Sequence, residues 1–152
     1  MRLRIGNKLA AAAAGLLLMS AATGGAPAAQ RPLPNPVLVF AGPEFFQSGG
    51  KQWTRYRLRV DNSDQYPNEF FAPAPGLPPC GANTRAARTW VDIFDQSGKR
   101  LNGFCALANR DGLGKLWFAL EGDVIPPSWV YVELNDRQAS TKYKSNLSDT
   151  VE

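Results

Sequence analysis

Gln52-Trp53-Thr54-Arg55-Tyr56-Arg57-Leu58-Arg59-Val60 decides the fold class. Thr54, Tyr56, Leu58 and Val60 alternate with Trp53, Arg55, Arg57 and Arg59. A period of two therefore puts an apolar set on one face of a strand and three guanidinium groups on the other. Asp61-Asn62-Ser63-Asp64 ends the strand as an Asx-rich turn. Upstream, Val37–Phe40 is a β-branched and aromatic run. Gly42-Pro43 interrupts it, as a bulge or strand switch does, before Glu44-Phe45-Phe46 and the turn Ser48-Gly49-Gly50-Lys51.

Downstream, Thr89–Asp95 reads as a strand with Val91 and Ile93 opposing Trp90, Asp92 and Phe94. Gln96-Ser97-Gly98-Lys99 turns it into Leu101–Leu107, making a hairpin. After the turn Asn109–Gly114, the run Lys115–Leu120 is too short to assign to strand or helix by pattern. Ile125-Pro126-Pro127-Ser128 introduces a last strand in which Val130, Val132 and Leu134 alternate with Trp129, Tyr131 and Glu133. Gln30–Pro36 reads as an extended, mobile lead, and residues 139–152 as a loose polar tail. The expected fold is all-β: a single antiparallel β-sandwich of about seven strands over residues 37–138, with a small closed barrel as the alternative.

The strand W-T-R-Y-R-L-R-V, the hairpin R-T-W-V-D-I-F-D-Q-S-G-K-R-L and the closing I-P-P-S-W-V-Y-V-E-L-N-D resemble immunoglobulin/fibronectin type III-like modules of exported bacterial proteins. The block Y-P-N-E-F-F-A-P-A-P-G-L-P-P-C-G-A-N-T-R is similar to small, uncharacterised secreted bacterial proteins. The resemblance spans about residues 35–136. It implies an immunoglobulin-like sandwich and no catalytic residues, because that fold hosts many unrelated functions.

Arg2, Arg4 and Lys8 precede an uncharged run from Leu9 to Ala22, and Ala26-Pro27-Ala28 offers small residues for cleavage. This is the layout of a secretory signal peptide over residues 1–28; an uncleaved anchor helix is the competing reading. The protein is expected to be exported, to the periplasm or the medium, with no membrane span after cleavage. The whole chain has 17 basic and 13 acidic residues. The leader carries three of the basic ones, so the remaining chain is close to neutral and net charge selects no class of partner. No nucleic-acid partner is expected.

Cys80 and Cys105 are the only cysteines. In an oxidising compartment they read as a disulfide contributing about 3–3.5 kcal/mol on the chain-entropy model. The chain has no histidine. A Ser-His-Asp triad, a Cys-His pair and imidazole-based zinc sites are thereby excluded, and no enzyme activity, metal site or cofactor is expected. Asp92 and Asp95 fall on opposite strand faces, which separates them as an acid/base pair. The Asx-rich turns match no calcium-loop spacing.

The candidate binding residues are Phe70, Phe71, Leu77, Arg85, Arg88, Trp129 and Tyr131. In the proline-rich stretch 66–88, Phe70, Phe71 and Leu77 are either anchors for a partner or a lid packed on the sandwich. The arginines of 55–59 either meet an acidic polysaccharide, phosphate or protein surface, or pair with neighbours such as Glu133 or Asp92. Trp129 and Tyr131 either stack on sugar rings or join Trp53 and Trp90 in a packed cluster. The leading functional expectation is a binding module whose 66–88 loop and nearby sheet edge meet a protein or cell-envelope component. A polysaccharide-binding module or carboxylate-dependent glycan enzyme is the alternative, and a protease inhibitor presenting Leu77–Arg88 the second.

Overall fold

The computed structural model describes residues 32–78, 87–105 and 107–150. The chain divides into Met1–Arg31 and Pro32–Glu152, and every element below belongs to the second unit. The expected leader thus lies outside the described residues, as do Cys80 and Arg85. No helix among the described residues is long and apolar enough to cross a membrane.

Among the described residues eight strands form two antiparallel sheets: β1 (Leu38–Ser48), β2 (Lys51–Val60), β3 (Thr89–Asp95), β4 (Arg100–Phe104), β5 (Leu116–Glu121), β6 (Trp129–Asp136), β7 (Thr141–Lys144) and β8 (Ser148–Asp149). The first sheet runs β1-β2-β5 and the second β4-β3-β6-β7, with β8 also on β6. The ladders do not close into a barrel, so the closed-barrel alternative is wrong. Lys115–Leu120, unassigned from its pattern, is essentially β5. Its partner β2 supplies the ladder, Leu58↔Leu116 through Trp53↔Glu121.

The inner faces share one core. Leu58, Val60, Leu116 and Phe118 from the first sheet meet Val91, Ile93, Val130, Val132 and Leu134 from the second, all buried. For β2, β3 and β6 these are the inward sets that the alternation predicts. The two runs around Gly42-Pro43 are one strand with a bulge, not two strands. Ala41 and Gly42 together oppose Arg57, and Gly42 adopts φ 98°, which a side chain disfavours. Pro43 is tolerated because β1 is an edge strand, where its missing N–H removes no ladder bond.

Two expectations about the ends of the domain are corrected. The lead is pinned from Pro34 on: Tyr66 donates to the Pro34 carbonyl at 2.7 Å, and Asn62 Nδ2 donates to the Asn35 carbonyl at 3.0 Å. The polar tail is not loose, since it supplies β7 and β8 along one side of β6. Between them the Ser145 N–H donates to the Val132 carbonyl, and the Val132 N–H donates to Ser145 Oγ, both at 2.9 Å. Asn146 then turns across to β1: its Oδ1 accepts from the Leu38 N–H at 2.8 Å and its Nδ2 donates to the Leu38 carbonyl at 3.0 Å. One amide side chain thus replaces a strand neighbour and ties the two sheets at that edge. At the opposite edge Asn102 of β4 donates to the Trp117 carbonyl of β5 at 2.6 Å.

Candidate functional site

The described part of the 66–88 stretch is a lid on the core. Two 3₁₀ turns, Ser63–Gln65 and Asn68–Phe71, bring Tyr66, Phe70 and Phe71 inward, each 2% exposed or less. Phe70 meets Tyr66, Phe71 and Tyr143 at centroid distances of 5.3–5.9 Å. Phe70 and Phe71 are therefore packed residues, unavailable as anchors in this arrangement. Leu77 is half-buried beside Glu69, Pro73 and Arg88.

Arg88 fixes the far end of the lid. Its Nε and Nη2 donate to the two carboxylate oxygens of Asp136 at 2.9 and 2.5 Å, and its guanidinium lies 5.6 Å from the Phe70 ring. Asp136 is almost fully buried and also accepts from the Gln138 and Ala139 amides. Burial by itself would push its carboxyl up; the Arg88 hydrogen bonds and the backbone amides outweigh that and hold it below the ordinary range. Arg137 completes the closure, donating to the carbonyls of Ala87 and Pro78 with its guanidinium 4.2 Å from the Trp90 ring. Hydrogen bonds occupy both arginines, so neither is a free contact for a partner. The expected Cys80–Cys105 disulfide is not part of the described structure. Cys80 lies outside it, and Cys105 follows β4 directly.

The outer face of the second sheet is balanced. Arg100 pairs with Asp92 at 2.7 Å and Lys142 with Glu133 at 3.2 Å; Lys144 sits 3.9 Å from the Tyr131 ring. Asp92 and Glu133 are thus committed to this sheet and do not partner the β2 arginines. Tyr131 is 9% exposed and stacks on Phe94 at 5.2 Å, which makes it a packing residue. Trp129 remains 44% exposed, its backbone tied to Gln96. Trp53 and Trp90 belong to different sheets and do not form the expected common cluster.

The outer face of the first sheet is different. Register places Glu44 and Phe46 of β1 against Arg55 and Trp53 of β2, and Arg55 and Arg57 against Ala119 and Trp117 of β5. The result is an aromatic–cation row across the sheet. Phe46 and Trp53 stack at 6.5 Å, and the Arg55 guanidinium lies 4.9 Å from the Phe46 ring and 4.8 Å from the Trp117 ring. Phe104 of β4 then closes edge-on against Trp117 at 6.0 Å.

Beside that row lies an open cavity of about 370 Å³ lined by Ala41, Glu44, Arg55, Arg57, Gly114, Lys115, Leu116 and Trp117. Arg55 reaches Glu44 at 3.4 Å, a loose and half-exposed contact, and its Nε is buried without a hydrogen-bond partner. Among the described residues Arg57 donates to the Ala41 carbonyl of the bulge at 3.3 Å. Among the described residues no carboxylate pairs with Arg57 or Lys115. Arg59 is satisfied locally by Asp61 at 3.2 Å.

Sequence reasoning found the arginines of this face but not Glu44, Phe46, Lys115 or Trp117. The usable signal was the parity of Trp117, Ala119 and Glu121 against Leu116, Phe118 and Leu120, which appears only once that run is read as a strand. Comparison with known proteins adds no identity: no protein family matches the chain, and no curated protein or solved structure matches it either.

Proposed function

We propose that this chain is an exported, non-catalytic binding module that uses the outer face of its first sheet to hold an anionic component of the cell envelope. The observation that carries this reading is the cation excess around one cavity. Among the described residues Arg57 and Lys115 lack carboxylate partners there, and two aromatic rings flank the Arg55 guanidinium beside them. Stacking pre-orders the guanidinium, so an oxyanion that docks on it loses less side-chain entropy. The leader over residues 1–28, the immunoglobulin/fibronectin type III-like resemblance and the Cys80–Cys105 disulfide belong to the same reading of an extracytoplasmic module.

The binding surface moves away from the 66–88 loop because Phe70, Phe71 and Arg88 are taken up by packing. The inhibitor reading rests on Leu77–Arg88, of which residues 79–86, Arg85 among them, lie outside the described residues. Retention of the purified protein on an immobilised polyanion tests the proposal. The double variant Arg55→Ala/Arg57→Ala is expected to elute at lower salt than Lys142→Ala/Lys144→Ala, which removes the same charge from the other sheet. Equal elution of the two folded variants would mean that the first sheet is not the binding face.

A further inference from the structure

We infer that the cavity between Arg57 and Lys115 takes a sugar acid, a ring bearing both a carboxylate and free hydroxyls, as one unit of an acidic polysaccharide. This rests on the preceding reading of the face as the binding surface and names its ligand class.

The cavity's own chemistry makes the choice. Arg57 and Lys115 supply donors and positive charge without an internal carboxylate to neutralise them. Glu44, however, lines the same cavity. An ionised carboxylate only accepts hydrogen bonds, so it repels a bare anion and welcomes hydroxyl donors. A ligand that satisfies all three side chains carries both a negative group and O–H groups. Sulfate and acidic peptide side chains have the first without the second; a neutral glycan has the second without the first.

The shape agrees. Trp117 gives an apolar wall against which the C–H face of a ring packs. Gly114 leaves the rim open, since a Cβ built there would meet nothing within 4 Å. The volume, 370 Å³, lies at the small end of ligand sites, which suits a short segment of chain. Arg55, Arg57 and Arg59 stand on the same face at every second residue, about 7 Å apart along the strand. Arg55 and Arg57 therefore offer two cationic positions along the strand, while Arg59 is taken up by Asp61.

Calorimetric titration with three polymers of matched length tests the inference: polygalacturonate (carboxylate and hydroxyls), poly-L-glutamate (carboxylate only) and dextran (hydroxyls only). Polygalacturonate is expected to bind about tenfold tighter than polyglutamate, with no heat from dextran. Arg57→Ala and Lys115→Ala each weaken polygalacturonate by about tenfold while the thermal melt stays native. Glu44→Gln weakens polygalacturonate and strengthens polyglutamate, because it removes the repulsion as well as the better acceptor. Equal affinity for the two polyanions, lost in Arg57→Ala, would overturn the sugar-acid inference and leave the anionic-surface reading standing. Silence from every polymer would overturn both, and dextran binding as tightly as polygalacturonate would remove the role of charge.

Discussion

Arg88 and Arg55 are both laid against aromatic rings, yet their surroundings assign them opposite work. Arg88 lies by Phe70, a fully buried ring, and meets a buried carboxylate through two hydrogen bonds. Arg55 lies between Phe46 and Trp117 on an open face and meets its carboxylate at 3.4 Å, with both groups a third or more exposed. A half-buried arginine whose charge is matched by a buried carboxylate closes structure. A half-buried one on the outer face of a sheet, lying by two rings with its charge only loosely matched, is the kind the proposed binding role requires. The residue type is the same; what differs is where the counter-charge sits.

The largest expected effect is at the closed end. Arg88→Met leaves Asp136 buried with its main partner gone, which costs about 3–5 kcal/mol in urea unfolding. Replacing both members, as Arg88→Met with Asp136→Leu, should recover most of that, because well-packed apolar pairs often match buried ion pairs. Polymer binding by the folded fraction should be unchanged in either. A folded Arg88→Met protein that has lost polymer binding would erase the distinction between the two arginines.

The same end carries an acid dependence. The Asp136 carboxyl is held below its ordinary value in the folded state, so its contribution is fully present above the unfolded-state pKa of about 3.9 and lost as pH falls through the lower folded-state value. Unfolding curves between neutral pH and pH 2 should therefore show an acid loss of stability that Asp136→Asn reduces. If the wild type and Asp136→Asn lose stability in parallel, another carboxylate carries the effect.

Asn146→Ala is expected to come next in size. It strands the Leu38 N–H and C=O at the sheet edge, at a cost of about 1–3 kcal/mol for unmet, part-buried polar groups. Because β1 also carries Glu44 and Phe46, loosening it should weaken polymer binding at the Arg55 side and leave the Arg88 lock intact. Hydrogen exchange localised to β1, with the 66–71 amides still protected, would sharpen the comparison. Uniform exchange across both regions would instead make them one cooperative unit.

How far the sequence led depends on where each region's partners lie. β2 is legible because its two faces differ in polarity at every step, and Val91/Ile93 and Val130/Val132/Leu134 follow the same rule. β5 is harder: Leu116–Glu121 contains no β-branched residue, and only pairing with β2 makes it a strand. Without that assignment Trp117 has no place on the arginine face. β7 and β8 are short and polar, and their anchor is an Asn146 contact to Leu38, 108 residues away, that no local pattern encodes. The pair Phe70-Phe71 reads equally well as an exposed anchor or a lid. The deciding contacts, Arg88 to Asp136 and Thr89 Oγ1 donating to the Phe70 carbonyl, are again long-range.

The smallest stability effect is expected at the most informative residue. Arg55→Ala removes a half-buried cation lying by two rings, worth about 0.5–1 kcal/mol to the fold, and frees Glu44 from its loose contact. Arg55→Lys keeps the charge but not the planar fork that lies between Phe46 and Trp117. If that row exists for packing, the two variants should differ only in melting temperature, with polymer affinity untouched. If it holds the guanidinium ready for an anion, both should melt close to wild type while affinity falls, with lysine recovering part of the loss at low salt and little at high salt, where bare charge is screened. Arg88→Lys is the matched control at the other end, where the loss should appear in stability and not in binding.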